Sequence, residues 1–283
     1  MYFKKRREVV KKSIHLKIEV NYLMKFLKAT GLLLLIILFT ACNTKNTEEN
    51  EWITLFNGTN LNGWTPKFYH HEVGENYADT FRVEDSSIVV AYDNYDTFDE
   101  TYGHLFYDEA FASFHLKFKY RFTDEWMEDA PSYTYRNSGV MFHSQAPETI
   151  LKEQDWPLSV EYQMLAEAEP GKPRPTGNMC SPGTDVYYNG KKSNEHCINS
   201  SSPTFPWNVW VEADLIVYQD SLVIHKVNGK EVLRYTDTQL GGDVANGYNP
   251  KLKVDGKALK SGYIGLQAEG QGVIFKDLKL KKL

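Results

Sequence analysis

Pro157–Ala166 reads PLSVEYQMLA, and its alternation decides the fold class. Leu158, Val160, Tyr162, Met164 and Ala166 fall on one face, and Ser159, Glu161, Gln163 and Leu165 on the other. Such a period of two marks a half-buried strand, because successive Cβ atoms point to opposite sides of the pleat. The first face is a core face. The second sets a carboxylate and an amide side by side on a rigid support, which suits a polar ligand. Taken alone, a face of this kind is more often the solvated side of a sheet.

The same period recurs on either side of this stretch. Phe114, Leu116, Phe118, Tyr120 and Phe122 alternate with His115, Lys117, Lys119 and Arg121. Val209, Val211, Ala213, Leu215 and Val217 alternate with Trp210, Glu212, Asp214 and Ile216. Trp52–Phe56, Phe81–Val83, Ile88–Val90 and Val273–Leu280 are further short strands. Leu222–Val227 and Glu231–Tyr235 flank Asn228-Gly229-Lys230, a hairpin signal. No window beyond residue 50 sustains a helical period. Strands without intervening helices, in a chain that is 14% aromatic, predict an all-β sandwich of two antiparallel sheets.

Two stretches repeat the arrangement of Glu161 and Gln163. In Arg136–Ser144, RNSGVMFHS, Val140 and Phe142 face one way and Gly139, Met141 and His143 the other; Gly139 leaves room for a ligand or a crossing backbone. In Tyr263–Glu269, Ile264, Leu266 and Ala268 point to the core and Gly265, Gln267 and Glu269 away from it. As neighbours in one sheet, these strands would gather His143, Glu161, Gln163, Gln267 and Glu269 on one surface. Hydroxyl-rich ligands need such donors and acceptors together with aromatic platforms, for which Trp64, Trp126, Trp207 and Trp210 are available. Glu212 and Asp214 read as a solvated face, and His70-His71 as an exposed loop.

The N-terminus reads as a targeting segment. Leu32–Phe39 is wholly apolar, preceded by Lys25 and Lys28 and followed by Thr40-Ala41-Cys42. The run is too short for a spanning helix, which needs about 20 apolar residues, but it fits a signal-peptide core. Its end resembles a lipoprotein cleavage site, with Cys42 as the lipidated first mature residue. A start at Met24 gives a signal peptide of ordinary length over 24–41, so residues 1–23 read as a start codon placed too early. Residues 42–50 form a polar tether, and 51–283 one domain. Residues 1–41 carry nine basic and two acidic side chains, so their removal takes the formal charge from −5 to about −12. An acidic domain repels phosphate backbones, which makes nucleic acid a poor partner. Two cysteines remain, Cys180 and Cys197, and outside the cytoplasm an even pair usually bonds. They lie in Glu167–Pro206, a long irregular stretch with six of the eleven prolines. A second irregular stretch is Lys67–Asp79.

An ordered set of motifs resembles the 3-keto-disaccharide hydrolase family. It comprises Leu55-Phe56-Asn57-Gly58, Leu61-Asn62-Gly63-Trp64, Phe81-Arg82-Val83-Glu84-Asp85, Asn137-Ser138-Gly139-Val140 with His143, Val160-Glu161-Tyr162-Gln163, and Gly262–Gly270. The insertion carrying Cys180 and His196-Cys197 resembles the family's cysteine-bearing lipoprotein subgroup. The resemblance implies a concanavalin-like jelly-roll with a concave ligand face. It also implies activity on glycosides oxidised at C3, by hydrolysis or by a lyase and hydratase route.

A C3 ketone acidifies the C2 proton, so a base can form an enolate that expels the C1 substituent, after which water adds back. Such a site needs a base, a stabiliser for the enolate oxygen and an acid for the leaving group. The expected base is Glu161, and His143 the acid or enolate-side donor. Gln163, Asn137 and Gln267 would position hydroxyls, with Glu269 beside them; Arg136 would offset negative charge and His196 reach over the groove. No cofactor is predicted: a divalent metal at His143 and Glu161 has no ligand spacing to support it, and CxxC spacing is absent. The implied partners are an oxidised saccharide, a membrane holding the lipid anchor in the cell envelope, and an oxidoreductase that makes the ketone. Three other readings stay open: a non-catalytic carbohydrate-binding module, a surface adhesion protein, and a conventional retaining glycosidase using Glu161 and Glu269.

Overall fold

The structure is a computed structural model that describes residues 51–283 and Met24. Apart from Met24, the segments read as signal peptide, lipidated Cys42 and tether lie outside the described residues. In chain order the strands are β1 (Ile53–Thr54), β2 (Trp64–Phe68), β3 (Phe81–Glu84), β4 (Ser87–Val90), β5 (Gly103–Tyr107) and β6 (Ser113–Trp126). Next come β7 (Asn137–Ser144), β8 (Val160–Leu165), β9 (Asn178–Cys180), β10 (Thr184–Tyr188), β11 (Lys191–Lys192) and β12 (Cys197–Ile198). The last five are β13 (Val211–Tyr218), β14 (Leu222–Val227), β15 (Lys230–Leu240), β16 (Tyr263–Ala268) and β17 (Gln271–Lys282).

They form two antiparallel sheets, as the alternation predicts. The ten-stranded sheet runs β11-β10-β15-β14-β13-β6-β17-β4-β3, with β1 on β17, and the seven-stranded sheet runs β12-β9-β8-β7-β16-β5-β2. This all-β jelly-roll sandwich brings β7, β8 and β16 side by side. Between the sheets, Phe114, Leu116, Phe118, Tyr120 and Phe122 of β6 are buried, as are Val160, Tyr162 and Met164 of β8. Phe118 meets Tyr162 edge to face at 5.8 Å. The Tyr162 hydroxyl crosses the core and donates to the Lys226 carbonyl of β14 at 2.9 Å. A buried phenol needs such an acceptor, and this bond ties β8 to the opposite sheet. The expected hairpin turn is present, with Asn228 and Gly229 both at positive φ, as a two-residue turn between right-twisted strands requires.

Three departures matter for the site. Glu167–Pro206 is not simply a loop: it contributes β9 to β12, two strands to each sheet. β5 was not expected, because its Gly103–Phe106 stretch is buried on both faces and so shows no clean alternation. Asp214 is no solvated carboxylate: it is buried, accepting from His115 Nε2 at 2.6 Å with Lys117 Nζ at 3.2 Å.

Candidate active site

The site is built on the outer face of the seven-stranded sheet, where register fixes which side chains meet. On β8, Glu161 pairs with Met141 of β7 and with Cys180 of β9, while Gln163 pairs with Gly139 and Asn178. On the other side of β7, Gly265 of β16 pairs with Met141 and Leu266 with Val140, which carries Gln267 to the level of Gly139. Gly139 is therefore a gap between two glutamines. Glu161 fills it: a Cβ added at Gly139 would stand 2.2 Å from Glu161 Oε1 and 2.8 Å from its Cδ. The space that the sequence reading reserved for a ligand or a backbone holds a carboxyl group.

Glu161, Gln163, Gln267, Glu269 and His196 line one cavity of about 410 Å³, together with the Cys180–Cys197 disulfide, Tyr133, Trp156, Pro182 and Val244. The disulfide joins directly paired residues of β9 and β12, as the even pair of cysteines predicts. It walls the cavity beside Glu161, and His196, otherwise exposed, stands at the rim next to it.

The two carboxyl groups are set apart by their surroundings. Burial alone pushes Glu161 up to about 8. Glu269 is raised well above the usual carboxylate range, first by burial and then by the nearby Glu161, with Arg174 opposing. Two like charges in one buried site cannot both form readily. Ionisation of either carboxyl therefore favours the proton on the other. Glu269 Oε1 and Gln267 Oε1 are buried with no hydrogen-bond partner among the described residues. Leaving such groups unmade costs about 1–3 kcal/mol each, so the cavity is shaped for a polar ligand.

Four contributors escaped the sequence reading. Trp156, rather than the four tryptophans expected, forms the aromatic wall; its ring lies 4.7 Å from that of Tyr102 and 5.7 Å from that of His104. Its place directly before the strand at Pro157 was the available signal. His104 of β5 pairs with Gln267 on one side and with Lys67 of β2 on the other. Burial, aided by Lys67, drives His104 down to about 3, so it is a neutral imidazole; burial likewise takes Lys67 down to about 8. Arg174, held by the carbonyls of Tyr135, Arg136 and Ala166, supplies the positive charge at Glu269.

Three expected residues are placed elsewhere. His143 does not share the surface with Glu161. Tyr263 pairs with Ser144 but Gly265 with Met141, so Phe142 and His143 stand opposite one residue in a bulge, with His143 at φ 46°. That twist turns the imidazole out of the alternation. It bonds to the Ala112 carbonyl at 3.0 Å, packs near Phe114 and borders a separate cavity with Leu158 and Leu259. Arg136 lies over Trp207 and Tyr135 and donates to the Glu167 carbonyl, so Arg174 fills the role expected of it. Asn137 is buried behind the wall, donating to the Tyr133 carbonyl at 3.1 Å. Of the tryptophans expected as platforms, Trp64 donates to the Leu55 carbonyl inside the core. Trp126 bonds to Thr134, and Trp210 lies under Arg121 and Lys276.

The separation of His143 from Glu161 removes that pair as a metal site. Among the described residues, Cys180, His196 and Cys197 lie close enough to share an ion, but the two sulfurs are bonded to each other.

A two-sheet jelly-roll with a buried acid pair beside amides and a tryptophan is a fold and site of the carbohydrate-handling kind. The model of the 3-keto-alpha-glucoside-1,2-lyase-like domain family matches residues 51–281, and the chain belongs to that family. No curated protein matches the chain. Among solved structures, it is similar to two candidate glycosyl hydrolases from Parabacteroides distasonis ATCC 8503. One is 20% identical over 82% of this chain and 94% of that one, with a TM-score of 0.47. The other is 18% identical over 83% and 100%, with a TM-score of 0.49. Carbohydrate binding module CBM66 from Bacillus subtilis is 11% identical over 79% and 98%, with a TM-score of 0.46.

Proposed function

We propose that this protein is an enzyme that cleaves 3-keto-glycosides by removing the C2 proton and expelling the C1 substituent. The observation that carries this reading is the burial of Glu161 and Glu269 in one cavity, where burial raises both carboxyls and charge on one favours the proton on the other, so the pair can supply a base and an acid. In its ionised form Glu161 takes the C2 proton, which the adjacent ketone acidifies. Electrons of the C2–H bond become the C1–C2 double bond, the C1–O bond breaks, and the leaving oxygen takes its proton from Glu269. The product is a conjugated 3-ketone. Addition of water at C1, with return of a proton to C2, would complete a net hydrolysis. Tyr133 and Trp156 would stack on the sugar ring and exclude water, which strengthens each polar contact inside.

The signal segment and Cys42 support a lipid-anchored protein of the cell envelope. Because the substrate is a ketone, a dehydrogenase acting on the C3 hydroxyl must supply it. A conventional retaining glycosidase would use the same two carboxyls differently, one of them as the nucleophile. The purified protein, offered disaccharides and aryl glycosides in native and 3-keto form, separates the two readings. Cleavage of only the oxidised compounds is expected. Equal cleavage of unoxidised ones would contradict the proposal.

A further inference from the structure

The insertion that carries the disulfide also sets the polarity of the site. Asn178 is fully buried at the start of β9, opposite Gln163. Its amide can sit only one way round. Oδ1 accepts the Ser200 backbone N–H at 2.9 Å, and Nδ2 donates to the Pro175 carbonyl at 3.0 Å. Reversal would set donor against donor and acceptor against acceptor. The other Nδ2 hydrogen goes to Gln163 Oε1 at 3.0 Å. Gln163 is thereby oriented in turn: its oxygen is held by Asn178, and its amino group is the end left for the cavity that Gln163 lines.

We propose that the Gln163 amino group recognises the C3 carbonyl oxygen and the enolate that forms from it, and that Asn178 is the positioning residue that keeps this donor aimed outward. The assignment rests on the 3-keto-glycoside reading above and deepens it. A hydroxyl both donates and accepts, so either end of an amide would serve it. A ketone and an enolate only accept. A donor held by Asn178, which two backbone groups fix in turn, serves those oxygens without the cost of turning the amide at the moment charge develops. It also predicts which change harms which ligand, because an acceptor facing the cavity repels a carbonyl oxygen but still takes a hydrogen bond from a hydroxyl.

Two substitutions reverse the polarity by different routes. Asn178→Asp retains an acceptor for Ser200 but attracts the Gln163 amino group, turning the amide carbonyl toward the cavity. Gln163→Glu leaves Asn178 in place and puts a carboxylate oxygen there directly. In a Glu161→Gln background, which stops turnover, calorimetry would give the Kd of one glycoside in its native and 3-keto forms. Each reversal is expected to weaken the 3-keto form about tenfold or more, in line with the loss of one buried hydrogen bond. Binding of the native form should change far less. Equal weakening of both, or no change, would overturn the assignment of Gln163 and Asn178 while leaving the reaction class intact. Absence of 3-keto binding to the Glu161→Gln protein, with no cleavage by the parent, would overturn the function and this assignment together.

Discussion

Glu161 has its reactivity set by the residue it lies against and by its burial. Gly139→Ala puts a methyl group where the carboxyl lies, and a displacement near 1 Å costs about a hundredfold in rate. We expect kcat to fall by that order while the thermal melt shows the domain still folded; unchanged kcat would mean that the carboxyl position is not critical. Stability should report the same carboxyl. A folded-state value near 8, above the ordinary 4.5, means that the native protein holds this proton more tightly than the unfolded chain does. That preference favours folding below pH 4.5 and is lost as pH rises through 8. Glu161→Gln should therefore raise the Tm at pH 9 by roughly 5 °C or more and change it little at pH 5. The positions of Glu161 and Glu269 were legible in the sequence, since alternation put both on the outer face. The burial that raises both carboxyls was not, because the cavity around them is lined by Tyr133, Trp156 and the insertion, none of which lies in either strand.

At the scale of elements, the β7 bulge and the insertion decide which residues form the site. Alternation assumes an unbroken register, and His143 sits where register breaks. The residue just before the partner strand permits this geometry: a Cβ at Gly262 would stand 2.3 Å from the His143 carbonyl carbon, so the close approach needs glycine there. His143→Gln is expected to leave the pH of half-maximal activity unchanged; a moved acid limb would return His143 to the chemistry. The insertion is fastened by a disulfide spanning 17 residues. Replacing both cysteines by serine should cost about 3 kcal/mol in denaturant unfolding. It should also release β12 and His196 from the rim, raising KM more than it lowers kcat; an unchanged KM would contradict a role for that rim in binding. Long Pro-rich segments give no periodic signal, so the short strands inside this one could not be read in advance, although the cysteine pair marked it as ordered.

For the whole molecule, two sheets bonded through the core present a cavity with two buried carboxyls on one outer face, and the proposed chemistry follows from their sharing of one proton. Activity should rise about tenfold per pH unit on the acid side and level off near pH 8, where Glu161 is ionised. The two-sheet architecture was legible because it depends on alternation summed over many strands, which one bulge or one missed strand does not overturn. The central claim is that cleavage passes through loss of the C2 hydrogen to Glu161. Turnover of a 3-keto-glycoside in D2O, followed by mass spectrometry and proton NMR at C2, tests it most directly. The account predicts that every cleaved sugar has lost its original C2 hydrogen, leaving either the conjugated ketone or solvent deuterium at C2, and that Glu161→Gln shows neither cleavage nor exchange. Cleaved sugar that keeps its original C2 hydrogen would contradict it.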